Sequence, residues 1–131
     1  MDRQALVGQS PRRSTQGVAS RSATMGSDRL EQLRELLAED PADLFVRYAI
    51  ALELKSAGAM EEAARNLHDL LQDAPDHVPS YYQLALILGD LSRVAEAVSI
   101  CERGAEQALA INDRKALAEI RELRETLLDE G

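Results

Sequence analysis

The sequence predicts an all-α protein, a stack of antiparallel helical hairpins with about six helices. Three observations predict it. The chain is self-similar at a 34-residue step, and apolar residues recur three and four apart between proline and glycine stops. No stretch alternates apolar with polar residues as a strand does. Laying 41–74 on 75–108 matches Pro41 with Pro75, Tyr48 with Tyr82, Ala51 with Ala85, Leu52 with Leu86 and Leu54 with Leu88. Glu62 also matches Glu96, Ala63 matches Ala97 and Ala74 matches Ala108, giving eight identities in 34. Composition alone would give roughly two or three. Run backwards, the step lays Leu33, Leu36, Leu37 and Pro41 on Leu67, Leu70, Leu71 and Pro75, so a half repeat precedes two full ones.

Each helix follows from period and punctuation. Leu30, Leu33, Leu36 and Leu37 mark a first helix, capped by Ser27 or Asp28 and stopped before Pro41, because a residue preceding proline is pushed out of the helical region. A second, about 42–56, runs through Phe45, Tyr48, Ile50, Ala51, Leu52 and Leu54 to Gly58, a natural left-handed terminator. The third, about 60–73, carries Met60, Ala63, Ala64, Leu67, Leu70 and Leu71 and ends before Pro75. The fourth, about 79–90, tolerates Pro79 in its first turn. The fifth, about 93–111, shows a stripe of Val94, Ala97, Val98, Cys101, Gly104, Ala105, Ala108 and Leu109. Asn112 or Asp113 caps a last helix bearing Leu117, Ile120, Leu123, Leu127 and Leu128 along one side.

Composition agrees. Aromatics make up 3% of the chain and there is no Trp, while Ala, Leu, Glu and Arg, all good helix formers, dominate. The lone Cys101 allows no internal disulfide, and a reducing, cytoplasmic home is expected. No apolar run is long enough to cross a bilayer, and none near the N-terminus reads as a secretory signal.

The net charge of −8 is unevenly spread. Residues 1–27 hold four arginines against one aspartate, whereas 28–131 hold 11 basic residues against 22 acidic ones. Residues 1–27 also lack any apolar period, so a disordered basic tail is expected ahead of a helical domain at 28–131. Its make-up suits an upstream extension before Met25, an organellar transit segment, or an ordinary loose tail with the charge to lie on the acidic body. That body repels phosphate backbones and anionic lipid, so neither nucleic acid nor membrane is an expected partner. Its acidity serves solubility or selects a basic partner.

Small residues show how the helices touch. Ala51 and Ala85 in the first helix of each pair, and Ala63 and Ala97 in the second, let backbones approach closely. Gly104 sacrifices about 1 kcal/mol of helix propensity, which makes sense only if another helix presses on it. With Ala51, Ala63, Pro75, Ala85 and Ala97 in place, the 34-residue helix–turn–helix unit resembles the tetratricopeptide repeat family over about 28–111, with the last helix as the family's capping helix. The resemblance implies a right-handed solenoid. There are two departures from the family pattern: the position where a large aromatic is usual is Arg47 in the first repeat, against Tyr81 in the second, and Leu109 replaces the second repeat's closing proline.

Chemistry is sparse. His68 and His77 are nine apart with no His or Cys at ligand spacing, and exposed positions are expected for both. Cys101 falls on a buried stripe, where a thiol is a small core residue rather than a nucleophile. No phosphate-binding glycine loop follows a strand. Neither catalysis, metal nor cofactor is therefore expected.

A binding role remains. By the resemblance, the first helix of each pair lines a concave groove, here Phe45, Tyr48, Leu52, Lys55 and Ser56, then Pro79, Tyr82, Leu86, Gly89 and Asp90. Independently, Tyr48–Leu52 and Tyr82–Leu86 are four apart, so each pair forms one patch on its helix. Tyr and Leu occupy positions where the family's chaperone-tail binders carry Lys and Asn, so that carboxylate clamp is absent. The expected function is an adaptor or scaffold binding a peptide or protein in the groove. The alternative is a self-associating structural protein, a homodimer for instance, with the patch buried between copies; separately, the last helix or core packing would cover the patch within one chain. The alanine seams supply a test: Ala63→Leu and Ala97→Leu should each abolish the cooperative thermal transition followed by circular dichroism, since overpacking of about 1–3 kcal/mol falls on a small core.

Overall fold

The computed structural model describes residues 18–130, with side chains from Asp28 onward. The six helices are α1 (Val18–Glu39), α2 (Leu44–Ser56), α3 (Met60–Asp73), α4 (Val78–Asp90), α5 (Val94–Ala110) and α6 (Arg114–Glu130), and no strand occurs among the described residues. Boundaries of α2 to α5 fall within two residues of the sequence expectation. At the front, α1 opens at Val18 instead of at a Ser27 or Asp28 cap. No proline interrupts 18–27, and Ala19, Arg21, Ala23 and Met25 favour a helix. Most of the expected 1–27 tail, residues 1–17, lies outside the described residues.

Local chemistry explains the ends. The Asp43 carboxylate accepts the Val46 N–H at 3.1 Å and the Asp113 carboxylate accepts the Ala116 N–H at 3.0 Å, each satisfying a first-turn donor. Three turns share one hydrogen-bond plan. Ala59 N–H donates to Leu54 C=O, Arg93 to Leu88 and Asp113 to Ala108, at 2.8–2.9 Å. Each ends its helix through a residue with positive φ, at Gly58 (85°), Ser92 (63°) and Asn112 (61°). Gly58 was legible because glycine adopts that conformation without a Cβ clash; Ser92 takes the same place one repeat later. The connections α1–α2 and α3–α4 use Pro41 and Pro75 instead.

The core follows the predicted seams. Ala51, Ala63, Ala85 and Ala97 are fully buried, together with Leu67, Leu70, Leu84, Ile87, Leu88 and Cys101. Each helix packs on its chain neighbours, and α6 also packs on α4. This is a right-handed solenoid of two and a half helical hairpins closed by a last helix. Not every predicted stripe residue is inside. Leu109 is 63% exposed, because α5 has 17 residues against 13 in α4 and overruns it by about 6 Å at 1.5 Å per residue. Leu128, in the last turn of α6, is exposed too.

Gly104 is pressed as expected. A Cβ built there would lie 2.6 Å from Tyr81 Cβ and 3.2 Å from Ile120 Cδ1, so α4, α5 and α6 converge on this glycine. Tyr81 is 1% exposed, and its hydroxyl donates to the Pro75 carbonyl at 2.6 Å. Gly104→Ala gains about 1 kcal/mol of helix propensity yet forces the Tyr81 Cβ away. The expected net loss is about 1–2 kcal/mol, read as a lower urea midpoint at unchanged slope; a raised midpoint would contradict the packing.

Candidate functional site

Helices α2, α4 and α6 share one face of the stack. Near the start of α4 they surround a cavity of about 390 Å³ lined by Tyr48 of α2 and by Val78, Pro79, Tyr82 and Gln83 of α4. Its far wall is Asp113, Lys115, Ala116, Glu119 and Ile120 at the beginning of α6. Val78 and Ile120 are almost wholly buried, so they form its floor. Toward the other end of α4 the helices close up. A Cβ on Gly89 would stand 2.9 Å from Leu127 Cδ2, which shows α6 running alongside α4 and lying over the expected groove position Gly89.

Of the expected groove residues, the structure brings Tyr48, Tyr82 and Pro79 into the cavity. Phe45 lies in the first turn of α2, 78% exposed and outside the cavity. Leu52 and Leu86 are half-buried one turn further along their helices, and Asp90 is exposed at the end of α4. Lys55 is half-buried, its Nζ donating to Gln83 Oε1 at 2.9 Å.

Sequence reasoning allowed the last helix to cover the patch but named no α6 residue of the wall. The signal was available: the step from Tyr48 to Tyr82 lands next on Ala116, and that from Leu52 to Leu86 lands on Ile120. Both line the cavity. Also missed was the place of His77, expected in solvent. It is half-buried at the start of α4, its ring 5.2 Å from the Tyr48 ring and edge-on at 61°. Its Nδ1 lies 2.8 Å from Ser80 Oγ, giving that fully buried hydroxyl a partner.

Burial sets the proton affinities here. It pulls the His77 imidazole below its ordinary range, only partly offset by the Asp76 carboxylate. It pushes the Tyr48 phenol up, opposed by the Gln83 amide. Away from the cavity, burial raises the Cys101 thiol to about 11, which leaves it protonated and unreactive near neutrality. Among the described residues no group of three His, Cys, Asp or Glu is placed to hold a metal ion. No described helix is long and apolar enough to cross a membrane.

Known proteins place the architecture. No protein-family model and no curated protein matches the chain. Among solved structures, the solution structure of a tetratricopeptide repeat domain protein from Salinibacter ruber is 30% identical. It matches 67% of this chain to 89% of that one with a TM-score of 0.64. This chain belongs to the tetratricopeptide repeat family. The crystal structure of the Salinibacter ruber domain protein agrees, at 27% identity over 68% of this chain and 100% of that one, TM-score 0.65. Two more distant tetratricopeptide folds overlay well. The TPR2B domain of yeast Sti1, in complex with pHsp70, is 15% identical over 84% of this chain and 88% of its own, TM-score 0.76. PcrH, in complex with the chaperone binding region of PopD, is 15% identical over 86% and 85%, TM-score 0.74. Within the family's plan α1 is the half repeat, α2–α3 and α4–α5 are the full repeats and α6 is the capping helix.

His77 links this face to pH. An imidazole whose folded affinity for protons is lowered contributes stability that is fully present above its unfolded value, about 6.5. That contribution is lost as the pH falls through 6.5 toward the folded value. Urea midpoints should therefore drop between pH 7.5 and pH 5, and His77→Gln should drop less over the same interval. An identical drop in both proteins would exclude His77 as the source.

Proposed function

We propose that the protein is an interaction module, an adaptor or scaffold that holds a peptide segment or protein partner in the hollow between α2, α4 and α6. The observation that carries this reading is the cavity itself, where Tyr48 and Tyr82 stand half-buried with part of each ring facing open space. Tyrosine offers a wide apolar face, few rotamers and a polar tip, the properties that concentrate binding energy at interfaces. Family likeness supports it: the Sti1 domain is in complex with pHsp70 and PcrH with a segment of PopD.

Magnitude limits the partner. Covering ~250 Å² of apolar surface contributes about 6 kcal/mol gross at ~25 cal/mol/Å². Association costs at least about 4 kcal/mol. A short peptide held by the cavity alone binds weakly. Contacts beyond it, at Leu52, Leu86 or Phe45, raise the affinity to a useful level.

A specific observation favours a second reading. Phe45 is 78% exposed, and two copies that bury it between them would form a homodimer. Sedimentation equilibrium at tens of micromolar separates the two, since a monomer leaves the face free. The test of the leading reading is Tyr48→Ala combined with Tyr82→Ala. Partner capture from native lysate should be lost, while the thermal transition stays cooperative because both rings are only half-buried. Unchanged capture by the double variant would end the groove proposal.

A further inference from the structure

We infer that the cavity takes a basic peptide segment, whose Arg or Lys side chain enters between Tyr48 and Tyr82 and meets the Glu119 carboxylate. This inference rests on the groove reading and adds the chemistry of the occupant. Of the charged residues lining the cavity, Asp113 and Glu119 are carboxylates and Lys115 is the cation. Asp113 is committed to its cap on Ala116, and Lys55 nearby to the Gln83 amide. Glu119 is exposed, and among the described residues no cation lies within ion-pair distance of it.

The surrounding field has the same sign. Residues 28–131 carry 22 acidic against 11 basic side chains. Arg29, Arg34, Arg47, Arg93 and Arg124 are each tied to a carboxylate of the body, so they offer little to an outside anion. Asp76, next to His77 in the chain, adds negative charge near the His77 ring that packs on Tyr48. Asp113 and Glu119 outweigh Lys115, so the cleft is net negative on a net negative body and concentrates cationic partners, while tyrosine faces attract ammonium and guanidinium groups through their quadrupoles. An acidic segment would meet net repulsion from the body.

A random dodecapeptide library displayed on phage and panned on the full chain tests this. The selected pool should be rich in Arg and Lys next to an apolar residue. Replacing that Arg or Lys by Gln in a selected peptide should weaken binding about tenfold by fluorescence anisotropy, and raising salt from about 20 to 300 mM should weaken it several-fold. Glu119→Lys, an exposed change that leaves melting unaltered, should cost the same tenfold. Enrichment of neutral or acidic peptides, no enrichment above background, or indifference to Glu119→Lys would overturn the inference. The groove reading stands apart: it survives those results if Tyr48→Ala with Tyr82→Ala still abolishes partner capture, and it falls if binding persists in that double variant.

Discussion

The close approach of three helices at Gly104 sets the geometry of the C-terminal half. With no side chain of its own, Gly104 admits the Tyr81 ring from α4 and the Ile120 side chain from α6 to the same point on α5. Tyr81 can be fully buried there because its hydroxyl reaches the Pro75 carbonyl, so an aromatic enters the core without leaving a polar atom unpaired. Ile120 seated on this point fixes the height of α6 beside α4, and that height decides which α6 residues face Tyr48 and Tyr82. The cavity is thus a by-product of core packing one layer beneath it.

The first repeat meets the same volume requirement differently. Arg47 stands where Tyr81 stands in the second, and Leu70 where Gly104 stands. A large ring with a glycine opposite becomes a slimmer stem with a leucine. The Arg47 head turns outward to Asp73 at 2.9 Å, while Leu70 is fully buried. Matched changes of this kind fill equivalent space with different residues, which lets two repeats with eight identities in 34 adopt one fold.

Much of this was readable in the chain. The alanine seams, the proline and glycine stops and the strained economy of Gly104 are local or periodic signals, and each named a contact that exists. Tyr48 and Tyr82 were singled out by the same repeat. What escaped notice depends on distance in sequence. The α6 wall residues went unnamed, although the 34-residue step reaches them, because helix starts step by 34 from α2 to α4 but by 36 from α4 to α6, after a longer α5 ended by Asn112 instead of a proline, which blurs the third unit. His77 was misjudged because its neighbour Tyr48 lies 29 positions away, across a whole hairpin, and no local pattern encodes such a pair.

Among the described elements the stack packs mainly between consecutive helices, and α4 with α6 is the most extensive pairing of helices that are not neighbours in the chain. A linear array of this kind unzips from its ends, since a terminal helix has a partner on one side only. Here the end helix is also the far wall of the cavity. Detaching α6 would erase the hollow and uncover the core beneath Ile120 and Leu127, and on the proposed function a segment seated between α4 and α6 would oppose that. On the proposed function, occupancy and fraying at the C-terminus would be two sides of one equilibrium, and a segment bound there would act as a clasp on the last helix.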